Sequence, residues 1–469
     1  MDFDTARRAS LLKSAEGDTL AQWLEERCRA SEAEISPVPL NELRQWGFHC
    51  ADGNLVFRHE SGRFFSVVGR RIETNFGSRK QWDQAAVLQP EHGLLGMAAR
   101  INDGVLELLV QAKMEPGCIN KVQASPTIQA TQSNYSRVHR GKLPTYFEFF
   151  SNFSPHRTWL FRSLQVEQTT RFLGKKNFNA FRLVNDAPLE SEEFRWCTLR
   201  NLKELYLIDN GINMNARSIL ACLPPLSPSG EVPTAKDIFP NSPPAGELLA
   251  RLYASLRGNV AANLKHIGET MVWLNEMRAR YWIKSLPQSL DALDGWTVED
   301  NEIKSDFFSI MGVRVKANRE VAEWDQPLMA QPENGLSVLV GKAIEGVPHF
   351  LFQAKCDAGG DPPVHLAPTV SCSVPALRQR IGEAPPFLDY VQSLPPEAFI
   401  FNTALSEEGG RFQKCVNHYK ILWMEDSNEN FREKDVPENY RWIPYETVFE
   451  LIRHGCLNIE SRSLFGFLV

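Results

Sequence analysis

The sequence predicts an α+β fold built twice: two similar units in one chain, each opening on a helix and continuing into a mixed sheet. Three observations carry this. First, "WDQAAVLQPEHG" (82–93) returns as "WDQPLMAQPENG" (324–335). The spacing of 242 (324 − 82) holds without a gap from 82 to 127, where 18 of 46 positions are identical. Self-similarity at one long period marks a duplicated structural unit. Second, the likeness spreads outward: "GRFFSVVG" (62–69) faces "SDFFSIMG" (305–312), and "RFLGKKNFNAFRL" (171–183) faces "RFQKCVNHYKILW" (411–423). Third, strict βαβ alternation and a GxGxxG are both missing, which disfavours a doubly wound dinucleotide fold.

In chain order, "DTLAQWLEERCRASE" (18–32) has the apolar spacing of a lead-in helix, and its Trp23 has a twin in Trp273. "RFFSVVGRRIET" (63–74) and "VLELLVQAKME" (105–115) partly alternate and are separated by turn residues such as "NDG" (102–104), so they read as strands. "TLRNLKELYLIDNG" (198–211) reads as helix. The proline-, serine- and glycine-rich stretch 223–244 reads as a linker or surface-wrapping segment, because proline suits neither helix interior nor sheet ladder. Residues 245–286 have the spacing of one or two amphipathic helices. The expected division is 1–222 as a first, catalytic unit, 223–267 as linker and connecting helix, and 268–469 as a second, diverged unit.

A net charge of −6 gives no basic excess for nucleic acid. Apolar runs such as "GVLELLV" (104–110) are far shorter than a membrane span, and the polar start lacks the apolar core of a secretory signal. Nine scattered cysteines without a CxxC suggest free thiols in a reducing cytoplasm and argue against structural zinc.

The copies share framework but differ in polar residues. After the common "QAK", the first offers Glu115, Gln123, Gln129, Gln132, Asn134, Tyr135, Arg137 and His139. The second keeps Lys355, Asp357, His365 and the pair Arg378 and Arg380. The expectation is that "QPEHG" and "QPENG" are scaffold turns, that Trp82 and Trp324 pack in the core, and that function lies where the copies differ.

The strings "HESGRFFSVVG", "QPEHGLLG", "QAKMEPG" and "VQASPTIQATQSNYSRVH", together with the duplication, resemble the NDP-hexose 2,3-dehydratase family over nearly the whole chain. Cys118 departs mildly from that pattern and the second copy departs severely. The resemblance implies a dTDP-4-keto-6-deoxyglucose substrate and loss of water across C2 and C3 to a 3,4-diketo sugar, as in 2,6-dideoxysugar formation for antibiotics. It also implies a homodimer whose chains each hold two Nudix-like modules, and coupling to a 3-ketoreductase. Alternatives on the same scaffold are a non-catalytic nucleotide-sugar binder and a keto-sugar isomerase or epimerase. A Nudix pyrophosphohydrolase is disfavoured, since the glutamate box that would hold magnesium is missing, as are HExxH and paired-histidine zinc spacings.

Such a dehydration needs no cofactor or metal, because the C4 ketone acidifies the C3 proton. The protein must supply a base, donors to the C4 oxyanion and a proton for the leaving hydroxyl. His139 is nearest to neutral pKa without tuning, and Glu115 serves if buried. Lys113 or Tyr135 would donate to the oxyanion or protonate the leaving group. Arg137 suits a diphosphate, its fork matching phosphate oxygens. Gln111, Gln123, Thr127, Gln129, Ser133 and Asn134 suit sugar hydroxyls or the thymine edge, and Arg63 joins them as a weaker candidate. Against these roles, Lys113 has a twin in Lys355 and reads more readily as a framework ion pair, while Glu115 has a near-equivalent in Asp357 and reads equally as a structural hydrogen-bond partner. Tyr135 and His139 read equally as packing at a module edge.

Overall fold

A computed structural model describes residues 2–13, 19–136, 142–151, 158–184, 190–226, 233–239, 242–256, 260–318, 321–373, 384–424, 431 and 435–469. The expected α+β duplication is present: the described strands form two five-stranded and two seven-stranded sheets, one of each per copy. In the first copy's larger sheet, the strand Gly93–Asn102 lies parallel to Lys176–Leu183 and antiparallel to Val105–Met114. Gly335–Ile344 repeats this with Val416–Met424 and Val347–Cys356. The lead-in helix Leu20–Ala30 starts at a Thr19–Gln22 capping box, which satisfies two otherwise orphaned amides.

The smaller sheets are exchanged between copies. The strand Glu34–Val38 leaves its own copy and pairs with Ser309–Lys316, while Ile283–Gln288 pairs with Ser66–Thr74. Residues 283–286 were expected to be helical. Leu286 precedes Pro287, which pushes it to extended backbone, and the neighbouring sheet edge takes up the strand.

The repeated "WDQ" strands anchor this exchange. Asp325 accepts from Arg314 of its own copy (Nε at 3.0 Å) and from Arg44 of the other (Nη2 at 2.6 Å), and its carbonyl takes the Trp46 indole at 2.8 Å. Asp83 mirrors it with Arg71 at 2.9 Å, the Asp294 amide at 3.0 Å and the Trp296 indole at 3.1 Å. Burial pushes the Asp325 carboxyl up, but the bonds from Arg314 and Arg44 outweigh it and hold the group well below the usual range.

Both large apolar clusters draw on both copies. One gathers Leu95, Val110 and Leu249 with Phe350, Phe401 and Phe465; the other joins Trp46 and Phe65 to Phe308 and Phe412. Leu223, Leu226, Ile238 and Phe239 of the proline-rich stretch are buried in the first. At its centre the helices Met214–Leu220 and Ile459–Leu468 pack together. Buried Arg217 donates to the Ser406 carbonyl at 2.9 Å, and buried Arg462 donates to that of Val166 at 2.6 Å. Each guanidinium thus fixes the strand end of the other copy. Among the described residues no helix is long and apolar enough to cross a membrane.

Candidate active site

Those two strand ends lead to the seam where the copies meet. "EQTTRF" (167–172) follows the strand Thr158–Val166, and "EEGGRF" (407–412) follows Phe399–Ser406. Each turn docks on the loop after the "QAK" strand of the other copy. The Gly117 amide donates to the Gly409 carbonyl at 2.7 Å, and the Gly174 amide to that of Gly359 at 2.8 Å. A Cβ on Gly117 would lie 1.7 Å from the Phe412 carbonyl oxygen, and one on Gly359 1.6 Å from that of Phe172. Only glycine permits this approach, which accounts for its recurrence.

A cavity of about 750 Å³ opens beside the first of these junctions. Lys113, at the end of Val105–Met114, and Glu115, just beyond it, come from the first copy with Gln129, Ser133 and Asn134. Glu167, Lys175 and Asn177 add a second polar side, and Glu408, Gly410 and Arg411 reach in from the second copy. His59, Phe64 and Trp324 form an aromatic side. Glu115 accepts from Gln129 Nε2 at 2.6 Å, and Asn213 holds that amide's oxygen at 2.9 Å. Glu167 accepts from Asn177 at 2.8 Å. The Arg411 guanidinium lies 4.2 Å from the Phe65 ring centre and donates to Gln89 Oε1 at 3.2 Å.

The chain matches the family model for NDP-hexose 2,3-dehydratases over residues 17–223 and 267–468. It is 37% identical over 458 residues to the dTDP-4-dehydro-6-deoxy-alpha-D-glucopyranose 2,3-dehydratase of Saccharopolyspora spinosa, covering 95% of this chain and 90% of that one. Enzymes of the same name from Amycolatopsis orientalis and Streptomyces violaceoruber are each 36% identical, over 94% of this chain and 88% and 94% of theirs. The chain belongs to the NDP-hexose 2,3-dehydratase family.

The electrostatics of this part of the cavity are set by Glu115, Glu167 and Glu408 near Lys113, Lys175 and Arg411 in a half-buried space. Burial, and then the facing charge of Glu408, push the Glu167 carboxyl up to about 7, against the pull of Arg462, Lys175 and the Asn177 bond. Burial also raises Glu408 and lowers Lys175 and Arg411. His59 is lowered by burial too, and its Nδ1 sits 2.9 Å from Ser61 Oγ.

Of the residues singled out from sequence, Lys113, Glu115, Gln129, Ser133 and Asn134 line the cavity. Arg137 and His139 lie outside the described residues, as do Arg378 and Arg380. The others sit elsewhere. Thr127 is buried, accepting from the Ala98 amide at 2.8 Å and donating to the Leu109 carbonyl at 2.5 Å, and its twin Thr369 repeats both bonds. Gln123 is buried and spends its amide on the Asn210 carbonyl at 2.7 Å and Ser406 Oγ at 2.6 Å. Tyr135 stacks on Phe147 with ring centres 5.1 Å apart, Gln111 pairs in the sheet, and Arg63 is exposed.

The repeated phrase is more than scaffold. Gln89 and Trp324 line the cavity, and Glu91 Oε2 holds the Ser133 amide at 2.8 Å. Sequence comparison missed Glu167, Lys175, Asn177, Glu408 and Arg411. The signal was present: "EQTT" against "EEGG" (167–170, 407–410) is a divergence directly before the aligned "RF".

Proposed function

We propose that this protein removes water across C2 and C3 of dTDP-4-keto-6-deoxyglucose, giving a 3,4-diketo-2,6-dideoxy sugar nucleotide, within a 2,6-dideoxysugar pathway of antibiotic formation. The observation that carries the reading is the placement of Lys113 and Glu115 together in a half-open cavity that mixes charged and polar side chains with an aromatic flank. Glu115 takes the C3 proton. Gln129 fixes one of its oxygens, and the Cys118 thiol lies 3.9 Å from the other. Electrons from the C3–H bond pass to the C4 oxygen, where Lys113 balances the developing charge. Collapse of the enolate forms C2=C3 and expels the C2 hydroxyl, and the enol then takes a proton at C2. Trp324, Phe64 and His59 provide flat surfaces for the nucleobase. The same reading takes the two units as Nudix-like modules of a cytoplasmic homodimer that passes its labile diketone to a 3-ketoreductase.

A proton NMR time course in D2O tests it, with dTDP-4-keto-6-deoxyglucose and purified protein. The expected result is loss of the H2 carbinol signal with deuterium entering a new methylene. Exchange at C3 with the C2 hydroxyl retained would make the protein an isomerase instead, and binding without change would make it a carrier. In the same assay Glu115→Gln is expected to stop C3 exchange while His139→Ala retains it. The reverse would move the base to His139.

A further inference from the structure

The two turns at the seam are related by the duplication but carry different residues. In the second copy the place equivalent to the cavity is plugged from the first. Gln168 donates to Glu407, the twin of Glu167, and Thr169 Oγ1 donates to Asp357, the twin of Glu115, at 2.8 Å. At the first copy's cavity the facing turn, from the second copy, has Glu408 in the place of Gln168, and Gly409 and Gly410 in the places of Thr169 and Thr170. Glu167 and Glu115 are therefore left uncapped by the facing turn. The turn that would close this cavity instead offers it a carboxyl.

We propose that Glu408, delivered across the seam by the second copy, is the catalytic acid that protonates the departing C2 hydroxyl. The inference rests on the dehydration proposed above and adds the proton donor that Glu115 and Lys113 do not supply. Hydroxide is a poor leaving group, and a carboxylic acid at the cavity surface lets it depart as water. The C3 proton goes to Glu115, the C3–H electrons become the C2=C3 bond through the C4 enolate, and the C2–O bond pair leaves with the Glu408 proton. The surroundings suit a protonated acid. Glu408 carries no side-chain hydrogen bond among the described residues, and burial raises its carboxyl. Glu115 pushes it further, while Arg411, Lys175 and Lys113 pull it back. Glu167 faces it as a second carboxylate, so the pair favours holding one proton between them. The second copy's role is then to furnish the acid and one wall of this site.

The test is Glu408→Gln, assayed beside the unaltered protein. The substitution copies the residue already present at Gln168, so the turn tolerates it. Turnover of dTDP-4-keto-6-deoxyglucose is expected to fall by about 10² to 10⁴-fold, while solvent deuterium still enters C3 and dTDP binds as before. A substrate analogue with fluorine at C2, whose fluoride leaves without a proton, is expected to be turned over by the variant at near the unaltered rate. The decline in turnover at high pH, as Glu408 loses its proton, is expected to vanish. Turnover within a few-fold of unaltered overturns the proposal. So does loss of C3 exchange and fluoride release together with dehydration, which would make Glu408 structural. An unaltered protein that does not dehydrate the sugar overturns the reaction itself, and this inference with it.

Discussion

Gly409→Thr writes the plugged arrangement of the second copy into the open cavity of the first. A Cβ at Gly409 would lie 2.7 Å from Cys118 Sγ and 2.9 Å from Glu115 Cβ, both closer than side chains tolerate. Overpacking of this kind costs about 1–3 kcal/mol. The second copy avoids the clash because Gly360 stands where Cys118 stands, leaving room for Thr169. Adding Cys118→Gly should therefore recover part of the lost stability, with a coupling of about 1 kcal/mol in a double-mutant cycle. Activity should not recover. If the new hydroxyl bonds Glu115 as Thr169 bonds Asp357, at 2.8 Å, it stabilises the ionised base by about 1.5–3 kcal/mol. That corresponds to a turnover loss of about 10 to 100-fold before any steric obstruction. Urea denaturation reads the first quantity and NMR turnover the second. A double variant that dehydrates at the unaltered rate would refute the claim that an uncapped Glu115 is what separates the working site from its plugged twin.

Asp325→Asn removes the carboxylate shared by Arg314 and Arg44 and should cost about 1–3 kcal/mol in urea melts, the arginines being partly solvated. Asp83 and Asp325 are depressed, so their contribution is present above the unfolded pKa near about 4 and is lost as pH falls through the lower folded values. Glu167 and Glu407 are raised to about 7, so theirs is present below about 4 and is lost as pH rises through about 7. Melting temperature should therefore decline on both sides of mildly acidic pH, and Glu407→Gln should flatten the alkaline side in a pH series of thermal melts. Trp324→Ala should raise KM for the dTDP-sugar about 10-fold or more with kcat little changed, if the aromatic flank carries the nucleobase; an unchanged KM would remove it from that role.

The duplication, the lead-in helices and the cavity residues Lys113, Glu115 and Gln129 were legible in the sequence because each rests on local pattern or on alignment at one offset. The strand exchange was not. Glu34–Val38 and Ile283–Gln288 are ordinary edge sequences, and pairing within a copy or across it places the same side chains on the same faces. Choice between them is made by distant contacts, Arg44 and Trp46 on Asp325 above all, which no spacing rule encodes. Thr127 and Gln123 read as ligands because they sit in a polar run, yet they are spent on backbone carbonyls and neighbouring side chains inside the fold. A residue's type announces its hydrogen-bonding capacity and not where that capacity is used.

The exchange also explains why one chain carries both copies when the cavity opens at the first of the two junctions. Glu115 and Glu408 come from different copies and meet only because each copy's turn docks on the other's glycine, Gly117 or Gly359. A lone unit would lack its neighbour's strand, its neighbour's anchor on the "WDQ" aspartate and one side of the cavity. The duplicated framework must therefore be kept in both copies, since each builds the other. The polar set needs keeping only once, and the seam shows where that freedom was used: bulk at Thr169 faces space at Gly360, while space at Gly409 faces bulk at Cys118. The same two turns, related by one duplication, thus give one plugged junction and one open to a substrate.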